Sequence, residues 1–169
     1  VCQPDTVKWA WTLVRRNNGA AGVDGMNCRR IEQGEGGVER FLQELEEELK
    51  SKTYRAAPVK RVYIEKPDGK LRPLGIPTIK DRVAQTAVKL IIEPIFEADF
   101  NDCSYGYRPG RSAKDAIQAI QGHLKEGKNE VYDADLSGYF DSIPHDKLMA
   151  CVKRRIVDGS VMRLIRQWL

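Results

Sequence analysis

Val131-Tyr132-Asp133-Ala134-Asp135-Leu136-Ser137-Gly138-Tyr139-Phe140-Asp141-Ser142-Ile143-Pro144-His145 is the stretch on which the reading of this 169-residue chain turns. Residues 130–136 read as a buried strand that runs into carboxylates, and Pro144 at a first helical turn opens a helix towards Val157. A carboxylate at the end of a buried strand is costly unless something compensates its charge. A divalent ion does so, and the strand end supplies rigidity. Mg²⁺ prefers one or two carboxylates plus substrate phosphates, and paired ions of this kind clamp a phosphoryl transfer. The competing reading is a strand-terminal Asp that caps a turn or pairs with an Arg.

Upstream, Ser112 is placed to cap a helix from Ala113 to Glu126, after a polar and aromatic loop over residues 102–111. Residues 80–93 repeat with helical period and turn Val83, Ala87, Leu90 and Ile91 inward, with Pro94 kinking or ending the helix. Residues 59–65 and 71–76 flank the turn signal Pro67-Asp68-Gly69-Lys70, which predicts a hairpin with basic strands. Phe41, Leu42, Leu45 and Leu49 form one apolar stripe on a helix over residues 38–51. A first helix runs from Asp5 to Arg16, capped by Asp5 or Thr6 and ended by Asn17-Asn18-Gly19; a last one begins at Ser160. Helices mixed with antiparallel strands point to α+β.

Composition agrees with one packed domain or one and a half: 41% of residues are hydrophobic and 31% charged. No apolar run approaches the roughly 20 residues of a membrane helix, and the start has no signal-peptide pattern, so no membrane partner is expected. Cys2, Cys28, Cys103 and Cys151 lie far apart without CxxC spacing, which argues against a disulfide framework or zinc site and for a reducing cytoplasm. Net charge is only +4, but it is segregated. Between Lys50 and Arg82, ten basic residues oppose Glu65, Asp68 and Asp81, an excess of +7. Lys153, Arg154, Arg155, Arg163 and Arg166 form a second basic group. Such runs suit a polyanion, because phosphate contacts release counterions; solvated helix faces are the alternative. His123 and His145 have no metal-ligand or triad spacing and read as surface or capping residues.

The acidic stretch resembles motif A of reverse transcriptases, in the form Asp-x-x-x-x-Phe-Asp found in group II intron-encoded proteins. That register gives Asp135 the catalytic, metal-binding position, because Phe140 follows it by five residues. The Leu136 backbone carbonyl then joins the metal site, and Phe140 resembles the aromatic gate beneath the incoming sugar; Asp133 and Asp141 fall outside the register. Ser137 stands where many relatives carry Lys. Asn17-Asn18-Gly19-Ala20-Ala21-Gly22-Val23-Asp24-Gly25 is similar to the family's N-terminal extension, which implies template contact at Gly19, Gly22 and Gly25, since glycine lets backbone amides approach phosphates. Lys66-Pro67-Asp68-Gly69-Lys70-Leu71-Arg72 resembles the fingers hairpin, with Lys66 and Arg72 as the cations that grip a nucleotide triphosphate. Ser104-Tyr105-Gly106-Tyr107-Arg108-Pro109-Gly110-Arg111-Ser112 resembles a family loop beside the template, implicating Tyr105, Arg108 and Arg111 in RNA binding. In the competing reading of that loop, the tyrosines are core and Arg108 pairs internally.

The resemblance implies a reverse-transcriptase fingers subdomain with the first part of the palm, its helices packed on a small antiparallel sheet. Residues 1–35 would be the N-terminal extension, 36–128 the fingers and 129–169 the start of the palm. The implied activity is RNA-directed DNA synthesis with two Mg²⁺ ions, on an RNA template with a DNA primer and deoxynucleotide triphosphates. The implied partner for maturase work is intron RNA. Tyr-x-Asp-Asp, the family's second catalytic element, occurs nowhere in the sequence. The expectation is therefore a chain that stops inside the palm, is inactive by itself, and exposes palm surface through which it can form a homodimer. The alternatives are a non-catalytic RNA-binding splicing factor on the same scaffold, or a related reverse transcriptase serving bacterial defence or diversity generation.

Overall fold

The computed structural model describes residues 1–65, 67 and 69–169. In chain order these form α1 (Pro4–Asn17), α2 (Cys28–Gln33), α3 (Gly37–Lys50), β1 (Lys60–Glu65), β2 (Leu71–Ile76), α4 (Ile79–Glu97), α5 (Ala113–Lys125), α6 (Tyr139–Ser142), α7 (His145–Lys153) and α8 (Gly159–Trp168). Strands β1 and β2 pair antiparallel in one two-stranded sheet, so the architecture is α+β. Among the described residues, no helix is long and apolar enough to cross a membrane. The chain divides into a unit of residues 1–93 with 156–169, and a unit of residues 94–155. These boundaries differ from divisions after residues 35 and 128, because α8 bonds back to the segment before β1.

In the first unit, α1 buries Val7, Ala10, Trp11 and Val14, the helical spacing that lays one stripe on a neighbour. Trp11 meets Phe41 of α3 with ring centroids 5.5 Å apart. Leu42 and Leu45 complete the α3 stripe, and the carboxylates of that helix turn outward or pair at i,i+4, as Glu44 does with Arg40. No side chain caps α1. Pro4 begins it instead of an Asp5 or Thr6 cap, since a fixed φ and a missing N–H suit a first turn. Asn18 ends it in the left-handed region.

The centre of this unit is polar. Asp81, in the first turn of α4, is 2% exposed, and its carboxylate accepts from the Tyr54 hydroxyl at 2.5 Å, the Thr78 hydroxyl at 2.7 Å and the Ala57 amide at 3.3 Å. Thr78 in turn accepts from the Asp81 amide at 3.1 Å, so the pair closes the N-terminus of α4, where the helix dipole favours negative charge. Trp168 Nε1 of α8 donates to the Tyr54 hydroxyl at 3.1 Å, and the Ala56 amide donates to Gln167 Oε1 at 3.1 Å. Burial, then the bond to Asp81, pushes the Tyr54 phenol well above its ordinary value and keeps it a donor.

Helix α4 buries Val83, Ala84, Ala87 and Val88, while Ile91, expected inward, is exposed. Pro94 does not end the helix, which continues to Glu97 without the bond that Pro94 cannot donate. In the second unit, Ser112 caps α5, as its sequence predicts, and the Asp115 side chain completes a capping box with it. Residues 130–136 form no strand, and Val131, Tyr132 and Leu136 are exposed. The physical reason is that a strand needs a hydrogen-bonded neighbour, and the described strands β1 and β2 pair only with each other.

Tyr54→Phe leaves the Asp81 carboxylate short of one donor and Trp168 Nε1 without its acceptor. Urea unfolding should show a loss of about 1–3 kcal/mol, whereas Tyr63→Phe on exposed β1 should change stability by less than about 0.5 kcal/mol.

Candidate functional site

The glycine segment owes its course to α4. Arg82 donates from Nε and Nη2 to the Pro77 carbonyl, at 3.1 and 2.9 Å, and from Nη2 to the Ala20 carbonyl. A Cβ on Gly22 would lie 2.7 Å from Thr78 Cα, and one on Gly19 would meet the Arg82 guanidinium. Gly22 is thus spent on close approach to the protein's own backbone, a packing role different from admitting a phosphate. Gly25 has φ +67°, and its carbonyl accepts from Arg30 Nη1 at 2.8 Å. Val23 and Met26 are exposed at the end of the segment. Arg82, which latches it, carries no sequence signal beyond belonging to a basic run.

The hairpin pairs Val62 with Leu74, Tyr63 with Pro73, and Ile64 with Arg72. Both faces are largely exposed, including Tyr63, Ile64, Leu71 and Leu74. Arg72 is exposed on the face it shares with Val62, Ile64 and Leu74, and has no partner among the described residues. Lys66 and Asp68 lie outside the described residues. The basic run is not a single surface. Lys80 pairs with Glu48, Arg82 serves the glycine segment, and Asp81 is buried.

In the second unit, Arg108 is 9% exposed. Its guanidinium donates to the Glu97 carboxylate at 2.7–3.2 Å, to the Asn101 carbonyl at 2.7 Å and to the Ser104 carbonyl at 2.8 Å, and lies over the Phe100 ring at 5.0 Å. Arg108 therefore anchors the loop from inside and has no free face for RNA, which corrects its expected role as a template contact. The bond to Arg108 holds the Glu97 carboxyl below the usual carboxylate range and raises Arg108. Arg111 remains partly exposed, over Tyr105 at 5.7 Å and loosely bonded to Asp102 at 3.4 Å. Tyr107, absent from the residues singled out by sequence, is 100% exposed with φ +57°.

Asp135, Leu136, Phe140 and Asp141 line one open hollow of ≈ 440 Å³ with Ala134, Gly138 and Tyr139. Phe140 is 78% exposed, so it is not a core residue of this unit, and its ring meets Tyr139 edge-on at 5.6 Å. Gly138 takes φ +60° before the single turn of α6, which folds Phe140 back towards Asp135. No group of three or more His, Cys, Asp or Glu suited to a metal occurs among the described residues.

The reverse transcriptase (RNA-dependent DNA polymerase) family matches residues 64–169, which include the end of β1, all of β2, the Arg108 loop and the Asp135 hollow. The chain belongs to that family. It is 43% identical over 171 residues to Protein YkfC of Escherichia coli K12, a match covering 98% of this chain and 44% of that protein. It is 34% identical over 168 residues to the group II intron-encoded protein LtrA of Lactococcus lactis, covering 99% of this chain and 27% of LtrA. Nuclear intron maturase 1 of Arabidopsis thaliana matches over 93 residues at 33% identity, 55% of this chain and 12% of that protein. A Cas6-RT-Cas1–Cas2 complex shares the fold with TM-score 0.57 at 23% identity, over 99% of this chain and 17% of that one. The reverse transcriptase chain described here thus spans less than half the length of these relatives.

Gly22→Ala should lower stability by about 1–3 kcal/mol in urea unfolding, because neither backbone can yield without moving the glycine segment off α4. The Glu97 bond gives a pH signature. With its folded value depressed, Glu97 contributes stability above its ordinary value, about 4.3, and that contribution is lost as pH falls through the lowered one. The protection of residues 101–111 against hydrogen exchange, relative to the intrinsic rate at each pH, should therefore fall only in acid, and Glu97→Gln should lower it at neutral pH too.

Proposed function

We propose that this chain supplies the fingers and first palm segment of a group II intron-encoded, RNA-directed DNA polymerase that also binds its intron RNA as a maturase. The observation that carries this reading is the hollow in which Asp135 and Phe140 meet at the motif A spacing. Similarity to LtrA and to an intron maturase supports the intron assignment. In this reading a primer 3′-hydroxyl attacks the α-phosphate of a deoxynucleotide and pyrophosphate leaves. Lys66 and Arg72 hold the triphosphate, Phe140 lies under the sugar, and Asp135 supplies carboxylate charge beside the reacting phosphate. Reverse transcriptases generally use Mg²⁺; here the Asp135 carboxylate and the Leu136 backbone carbonyl are the donors offered to it. Template RNA contacts fall to Gly19 and Gly25 in the first unit and, separately, to Tyr105 and Arg111 in the second. Free cysteines at positions 2, 28, 103 and 151 accord with a reducing cytoplasm.

In the full-length protein, Asp135→Ala should lower primer extension on an RNA template by at least ~10²-fold while leaving RNA binding intact. Phe140→Val should raise ribonucleotide incorporation relative to deoxynucleotide, because the ring discriminates by collision with the 2′-hydroxyl. Full extension by the Asp135→Ala form would overturn the role given to Asp135, and no extension by the parent, with RNA binding retained, would favour a splicing factor without polymerase chemistry.

A further inference from the structure

Tyr107 stands apart from the other side chains of its loop. Three non-glycine residues have positive φ among the described residues: Asn18, Lys52 and Tyr107. Asn18 terminates α1, where a left-handed Asn is ordinary, and Lys52 lies just past the end of α3, where a turn must form. Tyr107 terminates no helix. A left-handed conformation is disfavoured for a bulky residue, and Gly106 next to it, which could adopt one freely, has no positive φ. The loop puts its strained backbone on the aromatic residue and leaves the glycine relaxed.

Nothing inside the fold compensates. The Tyr107 side chain is wholly exposed, and neither its ring nor its hydroxyl has a partner among the described residues. What enforces the conformation is the residue after it. Arg108 is pinned to Glu97, Asn101 and Ser104 and stacked on Phe100, and Pro109 confines Arg108 to extended backbone. Tyr107 is therefore a flat ring held outward by a rigid anchor. Strain kept by its surroundings, with no contact to show for it, points from the outlier to a ligand.

We propose that Tyr107 is a stacking platform for an unpaired nucleobase of single-stranded RNA. This rests on the reading that the protein binds RNA. The chemistry fits a base better than an apolar protein surface. Its loop carries the partly exposed Arg111 guanidinium, and the exposed Lys114 side chain follows at the start of α5, two cations that suit the phosphates flanking a base. Stacking needs only a π face, so the site should take any base, and it should take none from a duplex, whose faces are already covered.

The test uses the full-length protein, a single-stranded oligoadenylate carrying one 2-aminopurine, and an RNA duplex of the same length. Tyr107→Phe should bind and quench the 2-aminopurine as the parent does. Tyr107→Gly should unfold at a higher temperature than the parent, because glycine relieves the backbone, yet bind the single strand roughly 5- to 100-fold more weakly without quenching. Duplex affinity should not change. Higher stability with undiminished binding and quenching would overturn the platform while leaving RNA binding in place. So would lower stability, which makes the ring a folding element, or equal loss for both RNAs, which makes the loop a general phosphate contact. A parent that binds neither RNA would overturn this proposal together with the reading on which it rests.

Discussion

A carboxylate buried without a cation organises the first unit. The Asp81 carboxylate accepts from three donors at the N-terminus of α4, and those donors come from separate places in the chain. Thr78 is local, Ala57 and Tyr54 come from the segment before β1, and Tyr54 is itself held by Trp168 of α8. Each donor must be in place because an unsatisfied buried carboxylate costs more than any one of these bonds returns. One side chain therefore fixes where α4 starts, where β1 is launched and where α8 docks. The glycine segment depends on the same corner, since Arg82 and Thr78, its contacts, flank Asp81.

Much of this was legible from residue patterns because the relevant interactions are local. The stripe of α3, the Ser112 cap of α5 and the antiparallel pairing of β1 with β2 each lie within a short stretch of chain, so period and composition reveal them. Asp81 was not legible. In the sequence it is one acidic residue between Lys80 and Arg82, and nothing there tells a buried acceptor from a surface charge. The same limit applies to Arg108. A guanidinium in a glycine-bearing aromatic loop can point at phosphate or at its own carbonyls, and only the position of Glu97 decides between them.

Residues 130–136 fail for a different reason. Their β-branched and aromatic residues state a preference for extended backbone, and a strand is a relation between two segments. Asp135 and Phe140 line the same hollow because a single left-handed glycine and one helical turn lie between them. The string around Tyr107 was conspicuous, but total exposure and a left-handed backbone are properties of the folded loop alone.

The tie between Tyr54 and Trp168 spans 114 positions of sequence. The first unit is thus discontinuous, with residues 94–155 inserted before its last helix is made. On a ribosome, the bonds from Trp168 to Tyr54 and from Ala56 to Gln167 must wait for α8 to emerge, long after α1 and α3 can pair. Closing so large a loop delays the final step of folding, and until then a charged group destined for the interior stays in water. The half-made unit is held open by the same carboxylate that later locks it.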